Sequence, residues 1–546
     1  MWLRQRLQCN SLGFIVASAL FFTVFQNALF LHKAWSYIRF ENLNSVIFAA
    51  SMPVVIFCAL NMIFSVLTVP YLRKPLIILL LLGSATANYF MFSYGVVIDG
   101  NMMQNAFETN PQEATALLTP RMGLWLMLLG VLPAVVVCFV TIRQTHPWWY
   151  MLGLRAANVM LSAVVILLIA ALFYKDYASL LRNNKSVVKM LTPSDFIAGT
   201  LKFTEQRYFT SNLPLVSIGK DAHKGPLIAA EQKKTLVVLV VGETARAENF
   251  SLGGYARETN PRLKQDKVIY FQHASSCGTE TAISVPCMFS NMPRSDYDAT
   301  LASHQEGMLD VLAHAGVNVL WRENDGGCKG ACDRVPHIDM TQLKLPQDCD
   351  GEVCMDNVLL YKLNDYLNSL KGDGVIVLHQ MGSHGPAYYR RSTAEFRRFT
   401  PTCDSNQIQD CSHQQLVNTY DNSLLYTDAM LDNTIKLLQQ YGSRFNTAMI
   451  YLSDHGESLG ENGMYLHGTP YMFAPSQQTH IPMLLWMSDD YQRNFAINRQ
   501  CLQTLAQQDQ VSQDNLFHTL LGMLNIQTDQ YQPQLDILQR CRSGNA

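Results

Sequence analysis

Polar residues that suit metal binding follow three of the five β-rich apolar runs of this 546-residue chain. The runs are Leu236–Val241, Val317–Trp321, Val375–Leu378, Met449–Leu452 and Ile481–Trp486. Glu243 ends the first run, His384 lies beyond the third, and Asp454 and His455 follow the fourth, with His467 close behind. Strands of an open α/β sheet end at one edge, where ligands bind. Each residue alone is more simply explained as a helix cap or a surface group. Together, their oxygen and nitrogen atoms form a donor set typical of a zinc site.

A nucleophile for that site is indicated by Ser-Ser-Cys277-Gly-Thr-Glu-Thr281-Ala-Ile-Ser-Val-Pro-Cys287. A glycine-containing turn leads into a predicted helix N-terminus, where free amides and the helix dipole favour an anion. Coordination to zinc would lower the pKa of the Thr281 hydroxyl and fix its oxygen for attack. The alternative is a turn closed by a Cys277–Cys287 disulfide, in which Thr281 only caps a helix.

These motifs together strongly resemble the lipid A phosphoethanolamine transferases, inner-membrane members of the alkaline phosphatase/sulfatase superfamily that include the mobile colistin-resistance enzymes. The resemblance covers essentially the whole chain. The motifs that carry it are Glu243 after the first run, Cys277-Gly-Thr-Glu-Thr281-Ala-x-Ser-Val-Pro-Cys287, Ser-His384-Gly-Pro, Ser-Asp454-His455-Gly-Glu-Ser and Leu-His467-Gly. The Cys-x-Pro-x-Arg sequence that specifies a sulfatase's formylglycine is absent from the nucleophile region, which disfavours sulfatase activity.

The resemblance implies a role for each site residue. Thr281 would be the nucleophile. One zinc would be held by four residues, which are Glu243, Thr281, Asp454 and His455. Lys329, His384 and His467 would contact the phosphoryl group, or the two histidines would bind a second metal. Asp296 stands where some relatives have Glu, so its place in the substrate pocket is open.

Formal charge supports the need for further cations. Zn²⁺ with the Glu243 and Asp454 carboxylates and a Thr281 alkoxide leaves one net negative charge, which repels an anionic phosphodiester. Lys329, His384, His467 or a second zinc are the candidates to compensate it.

The implied reaction is a ping-pong transfer of phosphoethanolamine from phosphatidylethanolamine to a phosphate of lipid A, through a phosphoethanolamine–threonine intermediate. Capping that phosphate with an ammonium would reduce surface negative charge and give polymyxin and cationic peptide resistance. Three alternatives stay open: transfer to Kdo or heptose of the lipopolysaccharide core, a metal-dependent phosphodiesterase, and a non-enzymatic membrane sensor. We expect a monomer and no nucleic-acid partner.

Charge is distributed unevenly along the chain. Only 15% of residues are charged while 49% are hydrophobic, which excludes a disordered chain or a basic nucleic-acid binder. Residues 1–175 hold just ten basic and four acidic side chains. Five apolar stretches there are long enough to cross a bilayer as helices. They lie near 11–31, 46–69, 76–98, 122–142 and 157–174.

Basic residues in the loops predict the orientation, because Lys and Arg resist translocation. Six lie in the segments that are inside when the N-terminus is cytoplasmic: Arg4, Arg6, Arg73, Lys74, Arg143 and Arg155. The outside loops carry Lys33, Arg39 and Arg121. Five spans therefore place the remainder of the chain in the periplasm of a bacterial inner-membrane protein.

The cysteines provide a separate indication of compartment. Ten of the 13 lie after residue 175 and form close pairs, with one distant pair left over. The pairs are Cys277/Cys287, Cys328/Cys332, Cys349/Cys354, Cys403/Cys411 and Cys501/Cys541. Such pairing predicts disulfides in an oxidising compartment. The alternative is a structural zinc site built from Cys328, Cys332, Cys349 and Cys354.

We therefore predict an N-terminal α-helical transmembrane bundle of five spans and a C-terminal α/β/α domain of the alkaline phosphatase/sulfatase type. The domains would be residues 1–175, a bridging segment 176–232 and a catalytic domain 233–546. In the loop between the third and fourth spans, the resemblance places Asn105, Thr109 and Glu113 near the donor head group. Their near-helical spacing is equally typical of a solvated amphipathic helix.

Overall fold

The computed structural model describes residues 8–109, 111–143, 146–183, 185–205, 213–229, 233–350 and 353–542. The described residues form two compact units. One contains the residues up to Met103 together with Leu118–Thr204, and the other contains Gln104–Leu117 together with the residues from Glu205 onward. The predicted boundaries at 175 and 232 stay a prediction.

The first unit consists of long apolar helices. Four of them are continuous and long enough to span a membrane: Leu43–Leu67, Arg73–Tyr94, Pro120–Phe139 and Trp148–Ala178. The pair Ser11–Gln26 and Ala28–Ser36, bent by 52° at its junction, brings the number of spans to five if it crosses as one broken span. The five predicted stretches correspond to these helices, and the transmembrane bundle is confirmed.

The bend in the first span has a polar cause that average hydropathy hides. Gln26 and Asn27 are fully buried at the break. The Asn27 side-chain amide donates to the Thr192 carbonyl at 2.9 Å and accepts from the Thr192 N–H at 3.0 Å. Asn88 donates to the Gln26 carbonyl at 2.7 Å. These bonds satisfy the backbone and amide groups that an interrupted helix leaves open.

Shorter elements complete this part of the chain. Gln8–Asn10 and Thr141–Arg143 form a small parallel pair. The helix Trp148–Asn183 continues past the membrane span, with a non-helical residue at Phe173. The remaining helices are Gly100–Glu108, Pro111–Leu117, Lys185–Val188 and Ser194–Thr204.

The second unit is built on a seven-stranded sheet. Its strands in chain order are β1 (Lys234–Gly242), β2 (Ile269–Phe271), β3 (Asn318–Glu323), β4 (His337–Asp339), β5 (Gly374–His379), β6 (Phe445–Ser453) and β7 (Met483–Met487). Their spatial order is β2-β7-β6-β1-β5-β3-β4. Neighbours from β6 to β4 are parallel, and β7 is antiparallel to β6 and β2. Parallel central strands place their carboxyl ends at one edge.

Helices cover both faces of the sheet. Successive side chains of β1 are therefore buried alternately in two cores, one on each face. Val237, Leu239 and Val241 face one core, and Leu236, Val238 and Val240 face the other. The first core packs against Thr281–Phe289, Met308–His314, Arg499–Gln508 and Asp514–Met523. The second packs against Pro261–Gln265, Leu363–Ser369 and His413–Gln440. This is the predicted α/β/α architecture.

All five predicted β-rich runs are strands of this sheet, namely β1, β3, β5, β6 and β7. Two strands were not predicted, β2 and β4, which are three residues each and lie at the two edges of the sheet. Runs this short carry too little apolar periodicity to be recognised.

Disulfides link every predicted cysteine pair. The five bonds join Cys277–Cys287, Cys328–Cys332, Cys349–Cys354, Cys403–Cys411 and Cys501–Cys541. The alternative of a four-cysteine zinc site is therefore wrong, since each of its sulfurs is bonded to another sulfur. Cys9, Cys58 and Cys138 are free.

Candidate active site

The site lies at the carboxyl ends of the central parallel strands. Gly242 of β1 pairs with Ser453 of β6, so Glu243 and Asp454 leave adjacent strands at the same level. His379 ends β5 on the other side of β1, and the chain then folds across Glu243. The Ser383 N–H donates to the Glu243 carbonyl at 3.0 Å. Gly382 has a φ of +50°, and a Cβ there would lie 2.5 Å from that carbonyl oxygen.

Thr281 begins the helix Thr281–Phe289 and points its hydroxyl at this edge. The hydroxyl donates to Glu243 Oε2 at 3.1 Å, and its oxygen lies 3.4 Å from His455 Nε2. Glu280 occupies the N-cap position, so Thr281 is not the cap. The turn before it is held by the Gly278 N–H donating to Ser284 Oγ at 2.9 Å and by the Cys277–Cys287 bond. The structure thus places Thr281 at a helix N-terminus beside Glu243 and His455, and its role as the nucleophile stays a prediction.

Glu243, Asp454 and His455 form a fully buried group of acceptors. One ligand atom from each lies within 4.8 Å of the others. His455 Nδ1 is 2.8 Å from the Gly456 carbonyl, which places the ring proton on Nδ1 and leaves Nε2 with a lone pair. That Nε2 is 3.2 Å from Asp454 Oδ2 and 3.5 Å from Glu243 Oε1.

The charges of this group call for a cation. Burial raises the pKa of Glu243 and of Asp454, and the Asp454 carboxylate raises the pKa of Glu243 further. Burial and the nearby His467 lower the pKa of His455 to about 4, so His455 is neutral and supplies no positive charge. Two carboxylates, a neutral imidazole nitrogen and a hydroxyl fit a divalent cation such as zinc.

His384 and His467 lie beside this group. The ring centroids of His455 and His467 are 4.4 Å apart, and those of His384 and His467 are 5.3 Å apart. Thr279, two residues before Thr281, donates its hydroxyl to the Thr469 carbonyl at 2.7 Å, which ties the His467 loop to the nucleophile loop. Burial lowers the pKa of both His384 and His467. A lowered pKa favours the neutral form of both rings near pH 7. Their predicted contact with the phosphoryl group or a second metal stays a prediction.

Lys329 lies in the loop after β3 that the Cys328–Cys332 bond closes. Its backbone is left-handed, with a φ of +49°, and its side chain is half-buried. It makes no hydrogen bond or ion pair with any residue that the structure describes. Its predicted role at the phosphoryl group stays a prediction. Asp296 is exposed in the turn Arg294–Asp296 and accepts from the Ser295 hydroxyl.

The predicted head-group residues lie in the Gln104–Leu117 part of the second unit. The Thr109 hydroxyl donates to the Asn105 carbonyl at 2.6 Å, which closes a helical turn. Both side chains are half-buried. The Glu113 side chain lies outside the described part of the structure. Lipid binding by these three residues stays a prediction.

Several buried residues that support the site were not predicted. Glu457 accepts from Tyr388, and its other oxygen lies 2.9 Å from His467 Nδ1, so it orients that ring. Glu323 at the end of β3 contacts His379 Nδ1 at 2.9 Å. Burial lowers the pKa of His379, but the Glu323 carboxylate outweighs it and raises the pKa to about 9. Glu323 and His379 end strands, and Glu457 lies in the Asp454-His455 motif. These positions were the sequence signals that could have indicated a role in the site.

Comparison with known proteins identifies the family. A phosphoethanolamine transferase EptA/EptB family model matches residues 56–208, and a sulfatase model matches residues 235–526. The chain is 51% identical over 541 residues to phosphoethanolamine transferase EptA of Escherichia coli (strain K12), covering 99% of this chain and 98% of that protein. It is 38% identical to the Escherichia coli phosphatidylethanolamine transferase Mcr-1, covering 89% and 91% of the two chains.

A solved structure agrees in both parts of the chain. The integral membrane protein lipooligosaccharide phosphoethanolamine transferase A (EptA) from Neisseria meningitidis superposes with a TM-score of 0.95 at 42% identity, covering 98% of this chain and 99% of that one. The chain is thus an integral membrane protein with a sulfatase-type domain, as the motifs indicated. It belongs to the phosphoethanolamine transferase family.

Proposed function

We propose that this enzyme moves phosphoethanolamine from phosphatidylethanolamine to a phosphate of lipid A through a covalent intermediate on Thr281. The observation that carries the proposal is the position of the Thr281 hydroxyl, 3.1 Å from Glu243 and 3.4 Å from His455. A threonine hydroxyl at a helix N-terminus, facing a buried ligand set, suits nucleophilic attack on phosphorus.

The reaction has two displacements. Thr281 Oγ1 forms a bond to the phosphorus of phosphatidylethanolamine, the bond to the diacylglycerol oxygen breaks, and diacylglycerol leaves with the proton that Thr281 loses. An oxygen of the lipid A phosphate then attacks the same phosphorus, and the bond to Thr281 breaks. The proton that the attacking phosphate hydroxyl loses restores the threonine hydroxyl. His384 and His467 border the reacting group, and Glu457 orients His467.

The ligand set supports zinc as the cofactor, held by Glu243, Thr281, Asp454 and His455. All four are buried, with Thr281 the most accessible at 6% exposure. Bound zinc would supply the positive charge that lowers the pKa of a coordinated hydroxyl. A second zinc would use His384 and His467, whose neutral rings retain nitrogen lone pairs for a metal.

The substrates and cellular location follow from the same reasoning. The lipids lie in the bacterial inner membrane, with the N-terminus cytoplasmic and the catalytic domain periplasmic. The distribution of Lys and Arg and the five disulfides support this orientation. The enzyme would act as a monomer. Adding an ammonium to lipid A would weaken the binding of polymyxin and other cationic peptides.

Mass spectrometry of lipid A and core oligosaccharide from cells with and without this protein tests the acceptor. We expect lipid A to gain one phosphoethanolamine only when the active enzyme is present. Modification of the core alone would assign the acceptor to Kdo or heptose. Release of free phosphoethanolamine without any modified lipid would identify a phosphodiesterase instead.

A further inference from the structure

A disulfide-closed loop, residues 403–411, is fixed along the long helix His413–Gln440. The Cys403–Cys411 bond joins its two ends. The Cys403 N–H donates to Thr419 Oγ1 at 2.7 Å, and Ile408 is buried in the core. Just before the loop, the Asn418 side chain donates to the Pro401 carbonyl at 2.8 Å. We call residues 403–411 the Cys403 loop, and these contacts make it a rigid extension of the helix.

Asn406 in this loop holds a distant part of the sequence. Its side-chain Nδ2 donates to the Ala116 carbonyl at 3.0 Å. Ala116 belongs to the segment Gln104–Leu117, which comes between two membrane spans in sequence but packs in the same compact unit as the sheet domain. A side-chain amide that binds a backbone carbonyl fixes the position of that segment whatever its side chains are.

The same helix also supports the active site. Tyr420 donates its hydroxyl to the Thr244 carbonyl at 2.7 Å and accepts from the Arg246 N–H at 3.0 Å, directly after Glu243. One turn along, the Ser423 hydroxyl donates to Ser383 Oγ at 2.8 Å, next to His384. The helix therefore contacts residues next to two site residues and, through the Cys403 loop, the Gln104–Leu117 segment.

We propose that Asn406 is a positioning residue that docks the Gln104–Leu117 segment, and thereby the donor lipid, relative to Thr281. This inference rests on the proposed function, in which Asn105, Thr109 and Glu113 of that segment bind the donor head group. Losing the amide donor would leave Thr281 and its ligands in place but would let the segment shift, so binding of the donor would weaken.

The test compares full-length Asn406→Ala with Gln407→Ala, a matched control in the same loop. The Gln407 side chain makes no hydrogen bond with the described part of the chain. Kinetics with phosphatidylethanolamine in detergent micelles should show KM raised about three- to tenfold in Asn406→Ala, with kcat within about twofold. Hydrogen exchange of residues 104–117 should be faster in that variant. Gln407→Ala should match wild type in both measurements.

An unchanged KM together with unchanged exchange of residues 104–117 in Asn406→Ala would overturn the docking role. If the alanine variant expresses poorly, Asn406→Asp removes the donor while keeping the shape of the side chain, and the same outcomes apply. Thr281→Ala, assayed beside them, separates the two ideas. If it still transfers phosphoethanolamine, the proposed function fails whatever Asn406 does.

Discussion

The reactivity of Thr281 depends on the few atoms around its hydroxyl. Glu243 Oε2 accepts a hydrogen bond from it at 3.1 Å, and His455 Nε2 lies 3.4 Å from the Thr281 oxygen. Asp454 adds a second buried carboxylate. An alkoxide among these acceptors would be strongly disfavoured without a compensating charge. At the scale of single residues, the proposed role of Thr281 as nucleophile therefore depends on the proposed metal.

Replacing one ligand should remove the metal. Glu243→Gln keeps the shape of the side chain but loses its charge, so we expect zinc affinity to fall by at least about tenfold and transfer to be lost with it. Metal analysis of the purified protein after dialysis against a weak chelator measures this. Glu395→Gln, at an exposed position, is the control and should keep its zinc. Full zinc occupancy in Glu243→Gln would contradict the assigned ligand set.

Lys329 is one of the predicted sources of charge compensation, beside His384, His467 and a second zinc. We expect Lys329→Ala to lower kcat/KM roughly 100-fold, as for loss of a group that stabilises a developing anion. Steady-state kinetics measure the change. Lys344→Ala is a matched control, since Lys344 is also left-handed, with a φ of +47°, but exposed. Equal kinetics for the two variants would refute the charge argument.

At the scale of elements, the disulfide next to the nucleophile should matter for activity more than for stability. Replacing Cys277 and Cys287 by serine frees an 11-residue loop, worth about 3 kcal/mol on the chain-entropy account, and should also displace Thr281. Replacing Cys501 and Cys541 frees a much longer loop, with a sequence separation of 40.

The two double variants should therefore rank in opposite orders. Denaturant unfolding should show the larger loss in the free energy of unfolding for the Cys501/Cys541 variant, about 4 kcal/mol by the same account. Transfer assays should show the larger loss of activity for the Cys277/Cys287 variant. Equal activity in the two variants would mean that the Cys277–Cys287 disulfide does not position Thr281.

What could be predicted at this scale depended on how local the signal was. The runs that became β1 and β6 are apolar for six and four residues, so they were recognisable, and Glu243 and Asp454 were found because they follow them directly. Cysteine pairs whose two members lie within ten residues of each other were equally recognisable. The bend at Gln26 and Asn27 was missed, because their partners Asn88 and Thr192 are distant in sequence.

The supporting residues of the site escaped prediction for a related reason. Glu457 lies in a motif that was recognised, yet nothing in the sequence says that its carboxylate reaches His467 and Tyr388. His379 and Glu323 meet only because β5 and β3 are neighbours in the sheet. Burial and pairing are products of packing, so the roles they create appear only in three dimensions.

At the scale of the whole molecule, the enzyme combines a low-charge membrane unit with a disulfide-rich catalytic unit. The orientation we propose can be tested with reporter fusions in bacteria. A periplasm-specific alkaline phosphatase fused after Ala546 should be active, and a fluorescent protein that folds only in the cytoplasm should be dark there. Fusion after Lys74, predicted to be inside, should give the reverse. A bright fusion after Ala546 would contradict the periplasmic placement.

Intact-protein mass spectrometry tests the central claim most directly. The purified full-length enzyme is incubated with phosphatidylethanolamine in detergent and without acceptor, so that the second displacement cannot occur. We predict that the wild-type mass rises by one phosphoethanolamine unit, that Thr281→Ala shows no gain, and that adding lipid A removes the modification. An equal gain in Thr281→Ala, or rapid transfer by the wild type with no detectable adduct, would contradict the account.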